Sequence, residues 1–166
     1  MSTSERTDDT KKLHDLIKDA KIAMLTTIDQ NGELRSRPMG TIEVEFDGDL
    51  YFFTKEHSPK VSELMRDSHT NVSYCDKGAQ NYVSVSGKAE LIQDRKRMEE
   101  LWTPILKAWF PDGLDDPELA LLRISVSRAE YWDAPSSKIV QLIGFAKAAM
   151  TGKEYDQGEH GKIELR

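Results

Sequence analysis

The chain has 166 residues, of which 38% are apolar and 31% charged, with a net charge of −6 and a pI near 5.3. This length suits one ordinary domain, and the acidic balance argues against broad nucleic-acid binding, which usually needs a basic surface. No apolar run approaches the roughly 20 residues that cross a membrane, and the polar start lacks the apolar region of a secretory signal. We therefore expect a cytoplasmic protein without nucleic-acid or membrane partners.

Periodicity divides the chain into short strands and a few helices. Helices are predicted at 10–20, 58–67, 95–110 and 135–150. Strands are predicted at 22–29, 34–46, 50–54, 71–76, 82–93 and 119–133. The first helix is amphipathic, because Leu13, Leu16 and Ile17 share one face. The sequence DGD at 47–49 is a strong hairpin signal, and the only cysteine, Cys75, is expected in the core.

Six strands joined mostly by short turns favour an antiparallel architecture over parallel β–α–β units. We therefore predict a mainly β protein with flanking helices, of the α+β class, whose sheet closes into a small barrel so that few strand edges are exposed. Residues 1–152 are predicted to form a single domain. The polar tail at 153–166 is expected to lie outside that domain without regular structure.

The predicted strand LRSRPM is unusual because it carries two arginines. Alternation along a strand places Arg35, Arg37 and Met39 on one side, with neighbours roughly 7 Å apart, so that two guanidinium groups could bracket one anion. Either arginine alone is more often a solvated or salt-bridged strand residue. Pro38, which follows Arg37, lacks a backbone N–H donor and therefore suits an edge of a sheet.

A second candidate for anion binding is the helix start at Ser58, Pro59 and Lys60. Ser58 is a good N-cap, and Pro59 suits the first helical position. The N-terminus of a helix offers free N–H groups and positive potential, to which Ser58 adds a hydroxyl and Lys60 an ammonium group. Alone, this sequence is an ordinary helix start. Its combination with the arginine strand favours a phosphate ligand.

Several short segments of the chain occur in the order that is expected of a known family. They are MLTT, RSRPM, YFFT, SPK, VSVSGKAE, KAWFPDG, DDPEL and YWD. The ordered set resembles the FMN-binding split barrels of the pyridoxamine 5′-phosphate oxidase group, and within it the general stress protein 26 branch. The resemblance implies a six-stranded antiparallel split β-barrel that forms a homodimer, with FMN bound where the two subunits meet.

The resemblance also implies roles for individual residues. The arginine that binds the FMN phosphate falls on Arg37, beside Arg35, and the phosphate-binding turn falls on Ser58 and Lys60. The positions that would line the flavin are Ser36, Pro38, Met39, Phe53 and Thr54. Further contacts, from the same or the second subunit, would come from Tyr82, Ser84 and Trp132.

The chain departs from the oxidases after Trp132, where KIVQLIGFAKAAM replaces the segment that carries substrate-binding arginine and histidine residues. Efficient oxidation of pyridoxamine 5′-phosphate is therefore not expected, and no catalytic residue is assigned. Three functions stay open: an FMN-dependent oxidoreductase with an unknown small substrate, a non-catalytic flavin-binding or flavin-storage stress protein, and a module that binds another phosphate ligand. FMN or FAD is not decided, and no metal site is predicted, because no Cys/His cluster has zinc spacing.

Overall fold

The computed structural model of the protein describes residues 3–78, 80–133, 138–154 and 158–165. The helices are α1 Thr3–Ile17, α2 Pro59–Arg66, α3 Arg95–Leu101 and α4 Lys138–Thr151. The strands are β1 Ile22–Ile28, β2 Leu34–Gly40, β3 Asp49–Lys55, β4 His69–Asp76, β5 Asn81–Ile92, β6 Leu119–Asp133 and β7 Glu159–Glu164. Two short 3₁₀ helices lie at Pro104–Ala108 and Gly113–Asp115. Among the described helices, none is long and apolar enough to cross a membrane.

The strands form one antiparallel sheet in the order β2-β1-β4-β5-β6-β3, and β7 pairs with β6 beside this path. The sheet curls, so that β2 and β3, which end the path, face each other without forming a ladder among the described residues. The predicted class, a mainly β split barrel with flanking helices, is confirmed. Alternating burial along β1 and β6 shows why the sheet folds this way, since one face of each strand is apolar and turns inward.

Two apolar clusters hold the domain together. The larger one joins the inner face of the sheet, including Val72, Val85 and Ile124, to Leu13 and Leu16 of α1. The smaller one lies on the other side of β3 and contains Phe53, Met98, Leu101, Leu106, Leu119 and Leu121. Because consecutive strand residues point to opposite faces, Phe52 packs in the first cluster and Phe53 in the second. Strand β3 is therefore covered on both sides.

The predicted hairpin at 47–49 is wrong. Strand β2 ends at Gly40, residues 41–46 are irregular, and β3 pairs with β6 rather than with the preceding strand. The turn itself forms, since Gly48 has a φ of 111° and the carboxylate of Asp47 accepts the N–H of Asp49. However, the Gly48 carbonyl accepts the N–H of Val126 in β6. A local turn signal thus reverses the chain without specifying its strand partner.

Two further expectations about elements are corrected. The predicted helix at 95–110 is divided, because α3 ends at Leu101 and a 3₁₀ helix begins at Pro104. Proline has no N–H and forces the preceding residue, Thr103, into an extended conformation. Cys75 is exposed rather than buried, because its position in β4 places it on the outer face of the sheet. The predicted start of the last helix, at 135–137, lies outside the described residues.

The tail contains a strand, which the sequence did not predict. Strand β7 pairs with the end of β6, and its Ile163 is 2% exposed opposite Ala129. The Tyr131 hydroxyl donates a hydrogen bond to Glu159 at 2.7 Å, and Lys12 of α1 bridges the same carboxylate at 3.2 Å. The described part of the tail therefore belongs to the sheet. A single apolar side chain between polar neighbours was too weak a signal for a strand.

Candidate functional site

A cleft of about 680 Å³ opens between β2 and β3, the two strands that end the sheet, and we call it the edge cleft. Seven of the predicted binding residues line it: Arg37, Pro38, Met39, Phe53, Thr54, Ser58 and Lys60. They come from β2, β3 and the start of α2. The irregular segment 41–46 lies between β2 and β3 in the sequence. The curl of the sheet brings its two ends together, and Pro38 can lie at this edge because β2 pairs only with β1.

Arg37 is held in place by two partners that the sequence analysis did not include. Its Nη2 lies 2.7 Å from a carboxylate oxygen of Glu63, and its Nη1 donates to the hydroxyl of Thr27. Thr27 in turn donates to Glu63, whose side chain is only 7% exposed. The guanidinium group thus has a fixed orientation and keeps further N–H donors, because it has five in all.

Burial alone would raise the pKa of the Glu63 carboxyl, but the Thr27 hydroxyl and the Arg37 guanidinium outweigh burial and hold that pKa below its usual value. Arg35 adds to this effect from 3.8 Å, although it is mostly exposed and does not line the edge cleft. As predicted, Arg35, Arg37 and Met39 share one face of β2. Their partners across the β1–β2 ladder are the buried residues of β1, which are Thr27, Leu25 and Ala23. The register of the two strands imposes this arrangement.

Lys60 is the unpaired cation of the edge cleft. It is partly buried, and among the described residues no carboxylate lies within 4 Å of its ammonium group. Burial, reinforced by the nearby Arg37, lowers the pKa of Lys60. A buried cation without a counter-ion is costly, so an anion bound beside Lys60 and Arg37 would be stabilised.

The start of α2 lies beside these cations. Ser58 occupies the N-cap position with an extended backbone and Pro59 is the first helical residue, as predicted. The Ser58 side chain does not cap the helix, however; its hydroxyl lies 3.2 Å from the hydroxyl of Thr54 instead. Two hydroxyl groups therefore face the cleft next to a helix N-terminus, which has positive potential.

The far side of the edge cleft is aromatic and apolar. Phe53 is packed edge-on against Trp102, with ring centroids 5.4 Å apart, and Phe110 lies next to it. The 3₁₀ helix after Pro104 adds Leu106 and leads to Trp109, which is 57% exposed. Trp109 was missed because it lies in a predicted helix, where a structural role was favoured. The break at Pro104 is the sequence signal that could have identified it.

The other predicted site residues lie on the outer face of the sheet. Ser36, Tyr82, Ser84 and Trp132 do not line the edge cleft. The register explains this: Tyr82 faces Trp132 across the β5–β6 pair, while inward-facing Val83 faces Tyr131. Trp132 is stacked on His160 of β7, with the ring planes 8° apart. The binding role of these four residues stays a prediction.

Comparison with known proteins shows the family of this chain. Residues 8–156 match the family described as pyridoxamine 5′-phosphate oxidase like. The chain belongs to this family. One relative, protein bli-3 of Neurospora crassa, is 33% identical over 143 residues, which cover 80% of this chain and 68% of that protein. The family resemblance expected from the sequence is confirmed.

Solved structures with the same fold include general stress proteins. A general stress protein 26 from Jannaschia sp. has a TM-score of 0.76 at 24% identity, covering 95% of this chain and 99% of that one. The general stress FMN/FAD binding protein from Xanthomonas citri has a TM-score of 0.67 at 29% identity, covering 79% and 92%. Strand β7 lies beyond the 8–156 family match.

The buried Glu63 gives a test of this site. Replacing Glu63 with Gln keeps its shape but removes the charge opposite Arg37, so we expect the free energy of unfolding at neutral pH to fall by about 1.5–3 kcal/mol. Because the folded-state pKa of Glu63 is lowered, its contribution is present above the ordinary value of 4.5 and is lost as the pH falls through the folded-state pKa. Urea unfolding at a series of pH values measures this difference.

The matched control is Glu99→Gln, which removes an exposed carboxylate on α3 that forms a surface pair with Arg95. This control should change stability little at any pH. If Glu63→Gln were as stable as the wild type at neutral pH, the buried pair would not hold α2 against the sheet.

Proposed function

We propose that this protein binds FMN in the edge cleft as a general stress-type flavoprotein. One observation carries the proposal: a cationic end, formed by Arg37 and Lys60, and an aromatic wall, formed by Phe53, Phe110 and Trp109, lie in the same cleft. FMN has the matching chemistry, because its phosphate is a dianion and its ring system is flat and largely apolar. The neighbour from Xanthomonas citri, described as FMN/FAD binding, supports a flavin ligand.

The phosphate would lie at the start of α2. Lys60 would gain the counter-ion that it lacks, Ser58 and Thr54 would donate hydroxyl hydrogen bonds, and Arg37 would use the N–H groups not bound to Glu63 and Thr27. Glu63 reduces the positive charge locally, but its carboxylate is already engaged by two donors. The ring system would extend past Pro38 and Met39 towards the aromatic wall.

The first prediction for this site is preference for FMN over riboflavin, which lacks the phosphate. Charge-assisted contacts contribute on the order of 1.5–3 kcal/mol each, so Arg37→Ala and Lys60→Ala should each weaken FMN binding by about tenfold or more. Riboflavin affinity should change little in Lys60→Ala, whereas Arg37→Ala also removes the partner of the buried Glu63 and should weaken riboflavin as well, though less than FMN. Flavin fluorescence titrations of the purified apoprotein measure both affinities.

Lys88→Ala is the control, because Lys88 is exposed on β5 and does not line the edge cleft. It should bind both flavins as the wild type does. Equal affinity of the wild type for FMN and riboflavin would overturn the phosphate assignment. Absence of flavin bands in the absorbance spectrum of FMN-treated protein would favour a different phosphate ligand.

We also propose a homodimer in which the outer face of the sheet meets a second copy. This face exposes large apolar groups, with Ile22 48%, Met24 40%, Tyr82 49% and Trp132 38% exposed. Between them lie small polar residues, such as Ser73 and Ser84, which allow two sheets to approach closely. Several large exposed apolar side chains on one face of a sheet favour an interaction surface. A second subunit would also bring Ser36, Tyr82, Ser84 and Trp132 near a flavin, as the family resemblance implies.

The dimer is tested by sedimentation. The wild type at micromolar concentration should have about twice the chain mass of 18.9 kDa. Ser73→Arg places a long charged side chain in the middle of the outer face, and we expect it to produce monomers that bind FMN at least tenfold more weakly. Gln93→Arg, on an exposed position after β5, should remain dimeric. A monomeric wild type that binds FMN at full strength would refute the proposal.

The proposed activity is that of an FMN-dependent oxidoreductase with a small substrate. Bound FMN supplies hydride or single-electron transfer, and the chain's part is to bind and orient it. His57 Nδ1 lies 3.1 Å from a carboxylate oxygen of Glu118, and both side chains line the edge cleft. The competing proposal, flavin storage without turnover, is favoured by the departure after Trp132. There α4 exposes Leu142 and Phe145, and none of its described side chains lines the edge cleft.

We expect the bound flavin to be redox-active but the protein to be a poor pyridoxamine 5′-phosphate oxidase. Dithionite should bleach the flavin spectrum reversibly. Pyridoxamine 5′-phosphate in air should give little pyridoxal 5′-phosphate above a free-FMN control, because groups fixed against that substrate are needed for catalysis. A screen with NADH and NADPH separates the two proposals, since consumption above free FMN indicates an oxidoreductase. Rapid turnover of pyridoxamine 5′-phosphate would show that the C-terminal departure was misinterpreted.

A further inference from the structure

A second cleft shares no lining residue with the edge cleft. It has a volume of about 400 Å³ and lies between the end of α1, the irregular segment 41–46, the start of β3 and Tyr74 of β4. We call it the acidic cleft. The two clefts lie along successive parts of β3: the acidic cleft is lined by Asp49, Leu50, Tyr51 and Phe52, and the edge cleft by Phe53, Thr54 and Lys55.

Tyr74 is the buried polar residue of this cleft. It is 5% exposed, and among the described residues its hydroxyl has no hydrogen-bond partner. The hydroxyl nevertheless keeps contact with solvent, since it is not among the fully buried atoms that lack a partner. Burial raises the pKa of Tyr74, so the hydroxyl stays protonated and neutral. A hydroxyl in this position, with no partner among the described residues, is available to a polar atom of a bound molecule.

The walls of the acidic cleft are apolar, with Ile17, Leu50 and Phe52 all buried. Its shape is maintained by His14, whose Nδ1 accepts the backbone N–H of Phe46 at 3.3 Å. That bond connects α1 to the irregular segment. The interior therefore suits a compact apolar body rather than a chain of polar groups.

The rim carries an excess of negative charge from Asp19, Glu43, Glu45 and Asp49. Among the described residues, Lys18 is the only lysine or arginine that lines the cleft, and it lies 3.5 Å from Asp15, outside the lining. Lys21 forms an ion pair with Glu43, whereas Asp19 and Glu45 form no ion pair with a described residue. Clefts with one sign of charge concentrate ligands of the other sign.

We propose that the acidic cleft binds a small organic amine, with its ammonium group at the carboxylate rim and an apolar body reaching a hydrogen-bonding group to the Tyr74 hydroxyl. Three independent features agree on this class: the charge of the rim, the apolar walls and the unpartnered hydroxyl. A volume of about 400 Å³ lies within the range of small-molecule pockets. The proposal does not depend on flavin binding, because no residue is shared between the clefts.

Tyramine and 3-(4-hydroxyphenyl)propionate are suitable probes, because they share a phenol body and differ in the charge of the side chain. We expect tyramine to cause saturable shifts in the NMR amide signals of residues 41–46 and of Tyr74 in the full-length protein. The propionate should bind at least about tenfold more weakly, since it meets the acidic rim. No saturable shifts with tyramine, or equal affinity for both probes, would overturn the proposal.

Variants test the two ends of the site separately. Tyr74→Phe keeps the ring and should weaken tyramine about tenfold while leaving phenethylamine, which lacks the hydroxyl, unchanged. Glu45→Gln should weaken both amines several-fold, and Glu99→Gln, on the distant α3, should weaken neither. If Tyr74→Phe weakened both amines equally, the hydroxyl contact would be refuted. FMN affinity should be unchanged in these variants. Loss of amine binding can therefore be distinguished from loss of FMN binding.

Discussion

The buried pair of Glu63 and Arg37 is the interaction on which the candidate site depends. A carboxylate that is 7% exposed must be neutralised by close donors, and here the donors come from β1 and β2 while the carboxylate comes from α2. The pair therefore fixes the helix start relative to the edge strand. The same arrangement leaves Lys60 without a counter-ion, one helical turn before Glu63. Attachment of the helix and creation of an anion site are thus consequences of one cluster.

The open edge of the barrel determines where that cluster can act. Strands β2 and β3 end the sheet, and their failure to pair leaves space that is lined by Pro38 on one side and Phe53 on the other. An unpaired edge normally invites association with another chain, and proline at an edge reduces that tendency. The 3₁₀ helix that begins at Pro104 covers the opening with Leu106 and Trp109. The gap is in this way turned into a cleft with one polar and one apolar end.

Overall charge predicts little about either cleft. The chain has a net charge of −6, yet Arg37 and Lys60 make the edge cleft locally cationic, while carboxylates dominate the rim of the acidic cleft. The two environments lie along successive parts of β3, because Asp49 to Phe52 line the acidic cleft and Phe53 to Lys55 line the edge cleft. The side chains that line each cleft, and not the net charge, therefore set its local charge. Two ligands of opposite charge can therefore be tested independently on one chain.

The sequence by itself determined the features that depend on near neighbours. Alternation placed Arg35, Arg37 and Met39 on one face, helix-start chemistry placed Ser58 and Pro59, and the ordered motifs identified the family. Tertiary structure alone decided the pairing of β3 with β6, the addition of β7 to the sheet, the burial of Glu63 and the entry of Trp109 into the edge cleft. Propensity and periodicity act over a few residues, whereas strand partners and buried ion pairs depend on which distant surfaces the curled sheet brings into contact.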